Sequence, residues 1–533
     1  MEWARDSLEK IARTRPQRAE QPPPNLDERA VDLLVRDYHP DRAGMERLAA
    51  VGPNAGTQRF PHELADLLEA DGLLPEGFHP SVDLATDVLI VGGGGAGATA
   101  ALTLEDSGLQ VTLAAKLRLG DSNTVMAEGG IQAALGPDDS TRRRFADSYA
   151  GGHGKNDAEL LRILCERGPD RIRWLTRLGC LFDRNADGTF RLRSCGGSST
   201  PRVLACRDYT GLEIMRVLRD ALLQGQTQVL NHHSAAELLD DGHGQVTGAV
   251  LWDSRSGKLV SVSARAVLLA TGGSGQLHLQ GYPTSNHLGA TGDGLVLAYR
   301  QGCRLVHMDS FQYHPSGACF PEALAGQLVT ESIRSIGAHL LNADGERFVD
   351  ELLYRDAVAS AIIREVVERR GIRTPAGRYG VWLDTPPIDL KKGEGTLRRQ
   401  FPGLIHRFER YGIDPARYPL LVYPTLHYQN GGIAIDSQCR TEVRGLWAAG
   451  EVTGGVHGTN RLMGNSLLDI AVFGALAGES IKQDLPPRGR ITLSTAIRYR
   501  EALKTLPNRP AKAAPQLFPP ASGLKVEIAV SRT

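Results

Sequence analysis

Residues 86–116 read TDVLIVGGGGAGATAALTLEDSGLQVTLAAK. Asp87–Val91 is a short apolar run with strand character, followed by four glycines. Small residues over Ala98–Glu105 then suit a closely packed helix, and Gln110–Ala115 reads as a second strand. This is a βαβ start. Gly92, Gly94 and Gly97 fall at the G-x-G-x-x-G spacing between strand and helix. The first glycine permits the tight turn, the second admits a pyrophosphate, and the third lets the helix pack on the strand with its N-terminus towards the phosphates. The whole turn, Gly92, Gly93, Gly94, Gly95, Ala96 and Gly97, is therefore a candidate dinucleotide cradle.

Which dinucleotide depends on residues further out. A chain that grips the ribose of NAD often ends the second strand on an acid, but this strand ends on Ala115-Lys116. Two more strand-to-glycine transitions occur far downstream, LLATGG at 268–273 and LWAAGEV at 446–452. Widely separated strands of this kind around one nucleotide fold point to FAD. Residues 244–273 read as a meander of strands ending in a buried one, Ala266–Ala270. Helical patterns fill much of 157–183 and 211–224.

The 533 residues exceed what one simple core supports, so at least two packed units are expected. Lys+Arg and Asp+Glu are equal at 61 each, which argues against a general binder of nucleic acid or membrane surface. Seven cysteines are scattered without a C-x-x-C pair, so neither a disulfide framework nor a zinc or iron–sulfur site is expected. No metal ligands are assigned. The first residues lack an apolar signal region, and no apolar run approaches a membrane span. A cytoplasmic protein is expected, membrane-associated only through partner subunits. Residues 1–85, charged and interrupted by prolines, read as an extension outside the main fold.

The loop DSNTVMAEGG, 121–130, resists reading as core or surface helix. It becomes legible with the blocks NTVMAEGGIQAAL, ACRDYTG, ATGDGLVLAYRQG, FQYHPSG, VTESIR, YRDAVASAI, HYQNGGI and AAGEVTGGVHGTNRLMGNSLLD. In this order and spacing the chain resembles the flavoprotein subunits of fumarate reductases and succinate dehydrogenases, and the related L-aspartate oxidases, over about 86–480. The resemblance implies an α/β fold: a Rossmann-like FAD-binding domain (86–308 and 424–485) interrupted by a mobile α+β capping domain (309–423). A short tail, 486–533, stands where the family carries a helical domain.

The resemblance also implies a site. For FAD the matching positions are the glycine turn, Lys116, Asn123, Thr124, Gly129, Gly130, Asp293, Glu451, Ser466 and Leu467. For a dicarboxylate they are His314, Thr330, His427 and Arg461. Arg355 matches the proton-delivering arginine, with Glu331 and Arg334 completing its relay. Taken singly, Thr330 or Asp293 reads equally as a helix cap, and Arg355-Asp356 as a salt bridge at a helix start. The implied activity is interconversion of fumarate and succinate by hydride transfer at flavin N5, with electrons exchanged through a separate iron–sulfur or other electron-transfer partner. L-Aspartate oxidation is the alternative. Cys195 in RLRSCGGSS discriminates: dehydrogenases carry Phe there, and aspartate oxidases a Glu that receives the substrate ammonium. Ile336 replaces a second Glu of the family's T-E-G-x-R-G-E-G block.

In succinate dehydrogenases the loop reads S-H-T and its His bonds covalently to the flavin; here Asn123 stands in that place. An amide cannot form that link, so FAD is expected to be non-covalent. Acid precipitation should release all yellow colour into the supernatant. Flavin fluorescence remaining on the denatured chain in a gel would refute this.

Overall fold

The computed structural model describes residues 1–41, 44–506, 512–519 and 528. Its centre is a five-stranded parallel sheet in the order Leu446–Ala448, Ala266–Leu269, Val88–Val91, Val111–Ala115, Gln228–Asn231. Val88–Val91 is buried along its whole length between two parallel neighbours, as a strand covered on both faces must be. The helix Gly95–Leu104 follows the glycine turn. The helix Asn465–Gln483 lies against it. A Cβ at Gly474 would meet the backbone oxygen of Ala96 at 2.6 Å, so small residues set how near these helices come.

From Asn231 the chain enters an antiparallel meander, His233–Asp240, Val246–Asp253 and Leu259–Ser263. A second body is built on the antiparallel order Phe311–Ala318, Leu420–Gln429, Tyr379–Asp384, His339–Leu341, with the helix Arg355–Val367 packed on it. The nucleotide-binding body is thus interrupted by an α+β cap. The strand Leu420–Gln429 runs unbroken from the cap sheet to the cofactor side.

The described residues of 1–85 depart from the sequence reading: they lie within the fold. The helix Arg5–Glu20 is pinned to the cap by Ser7 Oγ, which donates to the Ala343 carbonyl at 2.6 Å and accepts from Trp382 Nε1 at 3.0 Å. Asp384, fully buried, accepts from Arg15 and Arg18, each at 2.8 Å. The helix Glu28–Tyr38 packs on Arg355–Val367. Phe60, Leu64, Leu67 and Leu68 join the core beneath the parallel sheet. Leu84–Ala85 adds a parallel strand beside Val262-Ser263. Each piece is short and prolines separate them, so no long periodic run marks their burial.

Asp384→Ala should leave two guanidiniums without a carboxylate, one of them, Arg18, almost fully buried. Breaking a buried pair from one side costs about 3–5 kcal/mol. Urea unfolding should show a loss of that order, and an unchanged midpoint would mean that the first helix does not stabilise the cap.

Candidate active site

The glycine turn is shaped by steric need. Gly92 has φ +123°, and a Cβ there would sit 2.2 Å from the Ala270 carbonyl oxygen. A Cβ on Gly97 would sit 2.0 Å from the Gly92 oxygen, which explains why this position packs against the turn and does not line the cleft. Gly92, Gly93, Gly94, Gly95 and Ala96 line a cleft with Lys116, Asn123, Thr124, Asp293 and Glu451. Thr124 Oγ1 accepts from the Gly95 N–H at 3.1 Å, tying the loop to the start of the helix.

Lys116 ends the second strand and pairs with Asp293 at 2.5 Å. It also donates to the Thr291 hydroxyl and the Leu517 carbonyl, both at 2.7 Å. Asp293 opens the helix Asp293–Arg300, but Gly292 holds the cap position. Asn123 is held from three sides. Its amide donates to Asn286 Oδ1 at 2.7 Å and to Glu451 Oε2 at 3.2 Å, and its oxygen accepts from the His287 N–H at 2.6 Å. A second cavity adjoins, lined by Asn123, Thr124, Ser285, His427, Glu451, Ser466 and Leu467. Ser466 and Leu467 lie in the first turn of Asn465–Gln483, where backbone N–H groups lack helical partners. A phosphate-admitting turn at one end and free N–H groups with polar side chains at the other fit a dinucleotide carrying a planar ring system. Gly129 and Gly130 border neither cavity. Gly129 faces Met463 and Thr330, and Gly130, at φ +132°, approaches the Leu204 backbone.

Beyond His427 lies a buried polar cluster. Arg355, the first residue of its helix, donates from Nε to Glu331 Oε2 at 2.7 Å and from Nη1 to Gln312 Oε1 at 2.7 Å. Its partner is Glu331 and not its neighbour Asp356, which pairs with His153 at 2.6 Å. Its Nη2 makes no hydrogen bond among the described residues. Arg334 approaches the same Glu331 oxygen at 3.4 Å. The other oxygen accepts from the Gly196 N–H at 3.1 Å. Burial alone would raise the Glu331 carboxyl, but Arg355 and Arg334 outweigh it and hold it below the ordinary range. Arg461 donates from Nη2 to Gln312 Oε1 at 3.0 Å, and its guanidinium lies 4.4 Å over the Tyr428 ring. Burial and then Arg355 lower Arg461 to about 10, so it stays charged at neutral pH.

The His314 and His427 rings meet edge-on at 5.1 Å. Burial, followed by nearby Arg355, drives both well below the usual imidazole range, so both are neutral. His314 Nδ1 accepts from the Ser316 N–H at 3.2 Å, leaving Nε2 as the protonated donor. Thr330 Oγ1 and Arg461 Nε are buried with no protein partner among the described residues. Thr330 caps no helix, since Ser332–Ser335 follows Glu331. Three guanidiniums (Arg334, Arg355, Arg461) against one carboxylate leave two positive charges, the complement of a dianion. The arrangement can clamp two carboxylates and pass a proton along Arg334, Glu331 and Arg355.

Sequence reasoning missed Gln312, although it sits inside the block FQYHPSG. Its Nε2 donates to Asn460 Oδ1 at 3.0 Å and to the Arg461 carbonyl at 2.7 Å, which turns its oxygen towards both guanidiniums. Ser285 was also missed; its hydroxyl lies 2.8 Å from His427 Nδ1.

Comparison with known proteins identifies the family. Residues 87–467 match the model of the FAD binding domain family. The flavoprotein of the fumarate reductase of Serratia sp. is 35% identical over 74% of this chain and 68% of its own. L-Aspartate oxidase of Streptomyces coelicolor is 38% identical over 74% of this chain and 68% of its own. Among solved structures, E. coli quinol fumarate reductase FrdA superposes with a TM-score of 0.71 at 32% identity, covering 79% of this chain and 74% of that one. Glycine cradle, cap and sequence agree: the chain is an FAD-dependent oxidoreductase and belongs to the family of fumarate reductase flavoproteins and L-aspartate oxidases.

Proposed function

We propose that this protein interconverts fumarate and succinate, as the catalytic flavoprotein of a system in which a separate electron-transfer protein supplies or removes electrons. The observation that carries the reading is the Arg334–Glu331–Arg355 chain, buried beside His314, His427 and Arg461. When bound, FAD would supply or accept hydride at flavin N5; Asn123, Glu451, Ser466 and Leu467 would hold its ring end, and the glycine turn with Asp293 its nucleotide end. Asn123, an amide held by Asn286, Glu451 and His287, would form no covalent bond to the flavin.

The chain's own groups do the rest. Arg461, His314 Nε2–H, His427 and the Thr330 hydroxyl grip the two carboxylates and fix the double bond's orientation. Arg355 gives a proton from its uncommitted Nη2 to the substrate carbon. Free arginine is too basic for ordinary acid catalysis, so the proton must be restored at once. Glu331 touches both Arg355 and Arg334 and returns it by that route. Gln312, a neutral acceptor, ties Arg355 to Arg461 without cancelling either charge.

Cys195 favours fumarate and succinate over aspartate. It is 3% exposed, and its Sγ accepts from Gln132 Nε2 at 3.2 Å. Burial, then Glu331, pushes the thiol up to about 12, so it carries no negative charge for an ammonium group. Glu331 nearby is already committed to two arginines.

In steady-state assays with reduced viologen, Arg355→Ala should lower kcat by at least about 10²–10⁴-fold, with a smaller change in dicarboxylate binding, because a proton donor acts in the transition state. Arg461→Ala should instead raise KM strongly. Retention of most kcat in Arg355→Ala would place the donor elsewhere. In a second assay, aspartate-dependent oxygen consumption by the wild type should run far below its fumarate reduction. The reverse order would make it an aspartate oxidase.

A further inference from the structure

Away from the buried site, a cavity of about 690 Å³ opens between the segment 183–207 of the nucleotide-binding body and two short cap helices, Pro387–Lys392 and Thr396–Gln400. Arg184, Arg191 and Arg207 come from one wall, and Lys392, Arg398 and Arg399 from the other. Asp183, the acidic residue of the lining, is taken by Arg193 at 2.7 Å. Arg398 is paired with Glu409 and Asp414. Arg184, Arg191, Arg207, Lys392 and Arg399 have no carboxylate within ion-pair distance among the described residues, and all five are exposed. Arg184 and Arg399 donate to backbone carbonyls of Gly188 and Glu394, which orients their guanidiniums but neutralises neither.

Formal net charge over the whole chain is 0. Five unpaired cations facing one cleft are therefore a local concentration and not the overflow of a basic protein. Like charges gathered there repel one another, and a cleft with low-dielectric walls focuses their field on an incoming anion. The walls are also fixed in spacing. Asp208 accepts from the Gly403 and Leu404 N–H groups at 3.2 and 2.8 Å, and the Arg193 guanidinium lies 6.0 Å over Phe401.

We propose that this cleft binds a small polyphosphate anion, a ligand carrying two or more linked phosphate groups, which bridges the nucleotide-binding body and the cap. Arginine dominates the lining, and its planar fork suits phosphate oxygens in bidentate fashion. The volume lies in the range of small-molecule sites, about 300–1,000 Å³, where an acidic protein surface would meet a broader, flatter patch. Five unpaired cations exceed what one dicarboxylate would balance. The inference is independent of which substrate the buried site takes.

The test is calorimetric titration of the FAD-loaded protein with inorganic tripolyphosphate at roughly 50 mM salt, where screening is modest. Saturable binding of one anion per chain is expected, weakening as salt rises. R191Q and R399Q, on opposite walls, should each weaken it about tenfold, equivalent to about 1.4 kcal/mol. R162Q, which alters a surface arginine paired with Glu166, should not. All three positions are exposed, so folding is preserved, and fumarate turnover without tripolyphosphate should match wild type. No saturable heat up to about millimolar ligand, or equal binding by R191Q and R399Q, would overturn the proposal. Tighter binding of a hexaglutamate peptide than of tripolyphosphate would overturn it in favour of an acidic protein segment.

Discussion

Glu331 is a carboxylate sealed between two buried guanidiniums, and the architecture around it follows from the need to keep those charges in place. Removing three arginines from water is expensive, and their mutual repulsion adds to the cost. The Glu331 carboxylate and the Gln312 amide oxygen offset part of it, and the Gly196 N–H helps keep Glu331 charged. These groups come from both bodies: Gln312, Glu331 and Arg355 from the cap, Gly196 and Arg461 from the nucleotide-binding side. The cluster forms only where cap and FAD-binding body meet. That explains why the strand Leu420–Gln429 runs through the junction and delivers His427 to the cavity shared with Ser466.

The cluster's acceptors are also chosen for what they leave unspent. A carboxylate at position 312 would pair with both arginines and cancel the field on which a dianion depends. The amide fixes the same geometry and costs no charge. Likewise, neutral His314 and His427 add donors without further crowding of positive charge.

Local sequence revealed the parts of the fold whose constraints are local. The glycine turn is such a case, because the φ of Gly92 and the steric limits at Gly92 and Gly97 act within a few residues. The substrate-facing set is different. Arg355 lies 24 residues from Glu331, and Arg461 lies 149 from Gln312, so no spacing rule links them; only resemblance to a family brought them together. Gln312 escaped notice inside FQYHPSG because an amide carries no charge and has many uses. The packing of the first 85 residues, where described, escaped because its helices are short and bury few residues each, such as Ile11 and Leu34, against partners far away in sequence. Asp384 could not be tied to Arg15 and Arg18 from sequence, lying more than 360 residues away.

One contact concerns the order in which the molecule is made. Lys116 stands at the cofactor cleft, and one of its acceptors is the carbonyl of Leu517, 401 residues later. Ala513-Ala514 pairs in parallel with Asp71-Gly72, and the Leu517 N–H reaches Asp293. A ribosome delivers Leu517 401 residues after Lys116, so the contacts of Lys116 and Asp293 with it form only once that later stretch has emerged.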